Sequence, residues 1–179
     1  MAAKRSQISK SSEISEPKPG RPKMPDGYGI SKSSQGLMAW EDVEQQLKRA
    51  KNYWVGTTKP DGRPHAMPVW GLWLERVFYF SSDGSSRKAR NIAANPWAVV
   101  HLESGDDAVI VEGTAQRVTD KALFAKIDAD YKKKYRMGLS GIPGDVGVFA
   151  VRPRIVFAWR ERDFPKSATR WRFLRTAII

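Results

Sequence analysis

The chain contains no cysteine and only two histidines among its 179 residues. Without cysteine it has no disulfide bonds, no thiolate zinc or iron–sulfur site and no cysteine nucleophile. Two histidines also argue against a multi-histidine centre, so we expect no metal. No apolar run approaches the roughly 18 residues needed to span a bilayer, and the N-terminus lacks the apolar stretch of a signal peptide. We therefore expect a cytoplasmic protein with no membrane partner.

Acidic residues are also few, and the excess of positive charge extends along the chain. Lys and Arg number 31 against 19 Asp and Glu, which gives a formal net charge of +12. Residues 1–36 carry seven Lys or Arg and three Asp or Glu, which leaves +8 on residues 37–179. Such a field attracts nucleic acid, anionic lipid or a phosphorylated small molecule. Because no RNA-binding signature or helix-turn-helix pattern is visible, we expect no nucleic-acid partner.

Composition divides the chain into two parts. Residues 1–36 are rich in Ser, Lys, Pro and Gly and poor in large apolar residues, which predicts a flexible basic arm. Residues 37–179 have the length of one domain. That domain begins with a predicted helix over 37–50, where three apolar residues recur at helical spacing: Trp40, Val43 and Leu47.

Strands dominate the rest of the domain. Short apolar runs alternate with polar turns such as Lys59–Gly62, and two further helices are predicted at 87–94 and 120–136. The predicted strands are 53–58, 63–74, 77–81, 97–103, 108–118, 146–151, 154–159 and 169–174. Because strand follows strand, the pattern favours a mainly β fold, an antiparallel β-barrel with flanking α-helices, over a doubly wound sheet. The GxGxxG dinucleotide fingerprint and the P-loop are absent.

The segment Ser85–Asn91 is the best candidate for an anion site. It opens a predicted helix, where free backbone N–H groups and the helix dipole favour a negative charge. Ser86, Arg87 and Lys88 add hydroxyl and cationic donors for a phosphate. The other basic run, Lys132–Lys134, is typical of a solvated helix face.

A second informative stretch is GRPHAMPVW, residues 62–70. Its two prolines remove backbone donors and hold the chain extended, which leaves neighbouring backbone groups free for a ligand. His65 alone is typical of a strand histidine, and no partner for a catalytic triad is visible. Trp171 lies between two arginines, where flat aromatic and guanidinium surfaces suit an interface or a planar ring.

Taken in order, these segments resemble the pyridoxamine 5′-phosphate oxidase-like superfamily. The resemblance is carried by YWVGTTKPDGRPHAMPVWGLW, SSDGSSRKARNIAANPWAVVHLE, VIVEGTAQRV and ATRWRF. SRKARNIAANP is the most specific part, while DGRPHAMPVW and ATRWRF most resemble the flavin/deazaflavin oxidoreductase group. The resemblance implies a split β-barrel, similar to FMN-binding proteins, that binds FMN or coenzyme F420.

The resemblance also implies a homodimer with two cofactor sites at the subunit interface. Residues matching Ser86, Arg87 and Lys88 hold the cofactor phosphate, with Asn91 nearby. Arg63 precedes the ring-binding strand and assists the phosphate or the tail. The other implied cofactor-binding residues are His65, Pro68, Val69 and Trp70 along the ring, and Trp171 and Arg172 reaching in from the other subunit.

The implied function is an oxidoreductase that transfers a hydride to a small conjugated organic substrate. Because the cofactor ring carries the electron pair, no triad is required; His65 and Tyr53 are the candidate proton donors. F420 carries a phosphodiester and a polyglutamate tail, so the basic balance favours F420 over FMN. The alternative is an FMN-binding pyridoxamine 5′-phosphate oxidase-like protein, or a flavin or haem carrier without rapid turnover.

Overall fold

A computed structural model describes residues 17–173, which form eight strands and four α-helices. The strands are β1 (Lys18–Gly20), β2 (Asn52–Thr58), β3 (Pro64–Leu74), β4 (Val77–Asp83), β5 (Trp97–His101), β6 (Asp107–Arg117), β7 (Val146–Arg160) and β8 (Thr169–Arg172). The helices are α1 (Trp40–Arg49), α2 (Arg87–Ala94), α3 (Lys121–Tyr135) and α4 (Phe164–Ser167). No helix in this part of the chain is long and apolar enough to cross a membrane.

The strands form one antiparallel sheet that closes into a barrel. Their order is β1-β8-β7-β4-β3-β2-β5-β6, and an additional β6–β7 pairing joins the two ends of the last six strands. Every adjacent pair is antiparallel, and short turns join β2 to β3, β3 to β4 and β5 to β6. The predicted mainly β barrel with flanking helices is therefore confirmed.

The barrel has an opening between β3 and β4. These strands pair only where Gly71–Leu74 lies opposite Val77–Phe80. Beyond that point residues 64–70 stay paired with β2, whereas residues 81–83 stay paired with β7. In the described structure, residues 64–70 therefore have a strand along one edge only. We call the space between residues 64–70 and 81–83 the β3/β4 opening.

One strand differs from its prediction. Residues 146–151 and 154–159 were expected to be separate strands because Pro153 lies between them, but β7 runs unbroken through it. The register shifts by one residue between Glu112 and Gly113 of β6, and Pro153 lies opposite Gly113 at this bulge. A bulge accommodates proline because a ladder hydrogen bond is already missing there.

Two apolar clusters hold the helices against the barrel. The larger fills the barrel interior and includes the buried face of α1, with Val43 and Leu47 fully buried. In the smaller cluster, Ile127 and Tyr131 of α3 pack against β3, β4 and β7. The buried face of α1 is the predicted one, because the helical period places Trp40, Val43 and Leu47 on one side.

Residues 17–36 lie against the sheet, where the sequence predicted a flexible arm. Lys18–Gly20 pairs with β8, and the Arg21 guanidinium donates to the backbone oxygens of Ser33, Gln35 and Lys166, among others. Strand pairing and the Arg21 fork attach this segment to residues far along the chain, so its polar composition did not reveal the attachment. Residues 1–16 of the predicted arm lie outside the described residues.

Candidate functional site

The N-terminus of α2 lies beside the β3/β4 opening. Ser86 caps this helix, because its Oγ accepts from the backbone N–H of Ala89 at 3.2 Å. The same Oγ lies 2.8 Å from Ser82 Oγ at the end of β4, and Lys88 Nζ donates to Ser82 Oγ at 3.2 Å. Two hydroxyls and an ammonium group thus converge on the first turn of the helix. We call Ser82, Ser86 and Lys88 the α2 cluster.

The electrostatics of this region favour an anion. Burial lowers the pKa of Lys88, because the charged ammonium loses water there. The exposed Arg87 is its neighbour, and the free N–H groups of the first helical turn add further positive potential. No nearby carboxylate is among the causes of the Lys88 shift. A phosphate at this position would receive hydrogen bonds from the ammonium group and from the hydroxyl whose proton is not used in the Ser82–Ser86 bond.

Asn91 ties α2 to β2, the strand that pairs with residues 64–70. Its side chain is fully buried, and its Nδ2 donates to Thr57 Oγ1 of β2 at 3.0 Å. The Asn91 Oδ1 atom is buried and has no hydrogen-bond partner in the structure. An unsatisfied buried acceptor is costly, so this atom is suited to receive a hydrogen bond from a ligand.

His65 lies across the opening from the α2 cluster. Burial, followed by the nearby charges of Lys59, Lys88 and Arg87, lowers its pKa below the usual 6.5. Its Nδ1 is buried and has no hydrogen-bond partner in the structure. A neutral imidazole with a free nitrogen, close to three cations, is able to bind or exchange a proton when an anionic ligand arrives.

A shallow groove of about 310 Å³ continues from His65 across the sheet. Its lining comes from β2, β3, β5 and β6 and is largely apolar, with Gly56 at the floor and Glu112 as its one acidic residue. Trp97 and Val99 at its side are 54% and 37% exposed. Large apolar residues exposed together are typical of a surface that meets a ligand or another protein.

The other predicted residues of β3 line the opening or its margin. Pro68 is exposed, Val69 is half-buried against the core, and Trp70 is 38% exposed and stacked on Tyr135. Arg63 is held in the preceding turn, where its guanidinium pairs with Asp61 at 2.7 Å. The structure therefore brings His65, Ser86, Lys88 and Asn91 together. The Arg63 guanidinium lies outside this group, because it pairs with Asp61.

Tyr53 is not placed as the sequence suggested. Its ring is completely buried, and its hydroxyl donates to the backbone oxygen of Leu47 at 2.5 Å. Burial raises the pKa of this phenol far above its usual value. This corrects the suggestion that Tyr53 delivers a proton, because its donor is occupied inside the core. Strand alternation turns its side chain inward.

Trp171 also has a different position from the one suggested. Its indole is 1% exposed and lies 5.6 Å from the ring of Trp40 in the barrel core. This corrects the suggestion that Trp171 covers a cofactor ring, because the whole side chain is enclosed by its own subunit. Arg172, the next residue, is exposed on β8 opposite Lys18. It lies outside the α2 cluster of the same chain.

Sequence reasoning missed two residues of the site. Ser82 lies just beyond the predicted strand 77–81, but it belongs to β4 and joins the α2 cluster. Its position four residues before the helix cap was the available signal. Thr57 gave no signal, because a threonine in a strand is ordinary. No group of three or more His, Asp or Glu that could hold a metal occurs within residues 17–173.

Solved structures of low sequence identity share this fold. An F420 reductase is 27% identical, with a TM-score of 0.52, over 63% of this chain and 94% of that chain. An FAD-binding protein from Mesorhizobium loti is 18% identical, with a TM-score of 0.56, over 75% and 95%. HutZ, the heme storage protein from Vibrio cholerae, is 19% identical, with a TM-score of 0.52, over 64% and 87%. The last two likenesses show the fold alone.

A search of curated proteins found no match. The family model described as pyridoxamine 5′-phosphate oxidase matches residues 39–160, which is more than half of the chain and includes the α2 cluster and the β3/β4 opening. The match agrees with the barrel topology and with the resemblance carried by SRKARNIAANP. The chain therefore belongs to the pyridoxamine 5′-phosphate oxidase family.

Proposed function

We propose that this protein is an oxidoreductase that binds coenzyme F420, in preference to FMN, and reduces a small conjugated organic molecule. The observation that carries the proposal is the α2 cluster at the β3/β4 opening. There Ser82, Ser86 and Lys88 converge beside an extended strand with a free edge. A phosphorylated cofactor with a flat ring needs both features.

The donor set fits such a cofactor. The α2 cluster would hold the phosphate, with Arg87 adding charge from the exposed side. The unpaired Asn91 Oδ1 is a ready acceptor for a ligand donor. Residues 64–70 would lie along the ring and offer backbone groups from their free edge. When bound, the cofactor supplies the hydride, so the protein supplies orientation and charge.

The preference for F420 is supported by charge and by similarity. Residues 37–179 carry a net charge of +8, which suits the longer anion of F420 better than the single phosphate of FMN. The F420 reductase at 27% identity supports the same choice. We expect the excess of cations to favour the ligand with more negative charges.

We further propose that two copies of the chain form the complete site. The groove beside His65 carries the exposed Trp97 and Val99, and Met67 nearby is 45% exposed. Pairing these surfaces across a two-fold axis would bury them and enclose the cofactor ring. Arg172 is exposed, so it remains available to reach the site of the partner.

His65 is the residue we propose as the local proton source. Reduction of a conjugated bond consumes one hydride and one proton, and His65 is the titratable imidazole at the opening. The buried Tyr53 is withdrawn from this role.

The test is titration of the purified full-length chain with F420 and, separately, with FMN, followed by tryptophan fluorescence. We expect micromolar or tighter F420 binding and weaker FMN binding. Lys88→Ala should raise the Kd for F420 about tenfold or more, because it removes a charge-assisted hydrogen bond. The matched control is Lys133→Ala, whose side chain is 79% exposed and pairs with Asp130. It should leave the Kd unchanged.

A turnover assay distinguishes an enzyme from a cofactor carrier. Reduced F420 is mixed with the protein and a panel of quinones and enones, and its oxidation is followed by absorbance. Catalysed oxidation supports the proposal. Tight binding with no turnover would favour a carrier, and binding of neither cofactor would reject the assignment.

A further inference from the structure

Strand β3 changes its neighbour at Trp70–Gly71. Up to Trp70 it pairs with β2, and from Gly71 onward it pairs with β4. The two strands approach closely at Gly71, since an added Cβ would lie 2.4 Å from the Phe78 ring and 2.9 Å from the Tyr79 backbone oxygen. The β3/β4 opening begins at this point, so the backbone angle here determines how far the two strands diverge.

The last two turns of α3 hold this point of β3 through side chains. Tyr131 Oη donates to the Trp70 oxygen at 2.7 Å. Tyr135 Oη accepts from the Gly71 N–H at 2.9 Å and lies 2.8 Å from the Gly71 and Lys51 oxygens, one of which receives its proton. The helix thereby replaces the ladder bonds that β2 no longer provides, because β2 begins at Asn52.

Lys134 is a third residue of α3 that contacts β3 at this point. Its Nζ donates to the Gly71 oxygen at 3.0 Å and to Tyr53 Oη at 2.8 Å. It lies 5.0 Å from the centre of the Tyr53 ring and 5.3 Å from that of Tyr135. Burial lowers the pKa of Lys134 to about 8. A lysine on a helix surface would ordinarily be solvated, so its partial burial at Gly71 points to a specific role.

Tyr135 also fixes Trp70 directly. The two rings are stacked, with centroids 4.7 Å apart and planes 4° from parallel. Trp70 ends the stretch of β3 that has a free edge. The stacking on Tyr135 at the end of α3 therefore restrains the Trp70 ring.

We propose that Lys134 and Tyr135 are positioning residues that hold β3 at Trp70–Gly71 and so set the width of the β3/β4 opening. The consequence for ligand binding rests on the function proposed above. Residue 64 is about 23 Å along the strand from residue 71, so a 5° rotation of the paired strands β2 and β3 about this point moves it by about 2 Å. A displacement of that size is enough to disturb a bound cofactor.

Hydrogen–deuterium exchange of the full chain without cofactor tests whether Lys134 and Tyr135 hold β3 in place. Tyr135→Phe removes the hydroxyl but keeps the ring on Trp70, and Lys134→Met removes the ammonium group with little change in volume. In both variants we expect amides of residues 64–71 to exchange at least fivefold faster, with β6 and β7 unchanged. Lys133→Met, on the exposed side of the same helix, is the matched control and should match the wild type. Unchanged exchange, or a rise spread evenly over the barrel, would overturn the proposal.

The Kd for F420 tests whether the same two residues affect ligand binding at the opening. In Tyr135→Phe and Lys134→Met the Kd for F420 should rise about three- to tenfold. Tyr135→Leu also loses the stacking on Trp70, so it should bind F420 more weakly still. Faster exchange at residues 64–71 with an unchanged Kd would refute control of the opening. If the wild type binds neither F420 nor FMN, the proposed function fails, while the exchange result still decides whether these residues hold β3.

Discussion

At the scale of single residues, the imidazole of His65 is placed among cationic side chains at the β3/β4 opening. Desolvation and the charges of Lys59, Lys88 and Arg87 lower its pKa, which favours the neutral imidazole. An anionic ligand beside Lys88 would offset these charges and raise the pKa of His65. The bound state would then take up protons that the free state does not hold.

This linkage gives a pH prediction. Since the complex binds more protons than the free protein, affinity for F420 should increase as the pH falls, by about three- to tenfold between pH 7.5 and 5.5. His65→Gln should flatten this dependence, as measured by calorimetric titration at several pH values. His101→Gln is the control, because His101 contacts the Leu102 oxygen and Trp54 instead. A slope that persists in His65→Gln would show that another group takes up the proton.

Residue identity could be predicted for part of the site. Ser86 and Lys88 stand in one segment that opens a helix, so the sequence predicted an anion site there, and the family resemblance added Asn91. Ser82 and Thr57 come from strands far apart in sequence, and only the barrel brings them to α2. For Tyr53 and Trp171 the residue types suited the chemistry, but strand alternation turned both side chains into the core.

At the scale of elements, the N-cap of α2 has a structural role in addition to the binding role proposed for it. Ser86 caps the helix and also contacts Ser82 in the α2 cluster. Helix α3 has a comparable cap, because Asp120 Oδ1 accepts from the Leu123 N–H at 2.9 Å. The two caps make it possible to separate helix stability from ligand binding.

We expect Ser86→Ala and Asp120→Ala to lower the free energy of unfolding by similar amounts, about 1 kcal/mol each. Only Ser86→Ala should also weaken F420 binding, by about three- to tenfold, because it removes a phosphate donor. Urea denaturation and fluorescence titration measure the two effects. Equal losses of affinity in both variants would mean that the Ser86 effect is one of stability.

Element boundaries were predicted where local signals are strong. The turn Lys59–Gly62, the helix over 87–94 and the helical periodicity of α1 each depend on signals within a few residues. Strand β7 was divided at Pro153 because the bulge depends on its partner β6, which is remote in sequence. The short strand β1 was missed for the same reason, since its identity comes from pairing with β8.

At the scale of the whole molecule, the exposed apolar surface near the groove predicts self-association. Trp97→Glu should convert a dimer to a monomer, raising its dissociation constant about 100-fold, because a buried unpaired carboxylate is costly. Sedimentation velocity measures the change. Met137→Glu is the control, since Met137 is 49% exposed but lies after α3, away from the groove. A wild-type monomer, or a Trp97→Glu dimer, would contradict the proposed interface.

The sequence by itself determined the strand-rich architecture and the family, and it predicted an anion site at the α2 N-terminus. These properties depend on alternation, turn residues and contiguous motifs, all of which are local. The tertiary structure alone decided where β3 leaves β4, which side chains line the opening, and that Lys134 and Tyr135 hold Gly71. Those features depend on register between strands and on helix packing across the sheet, and such contacts join residues too distant in the chain for a local pattern to encode.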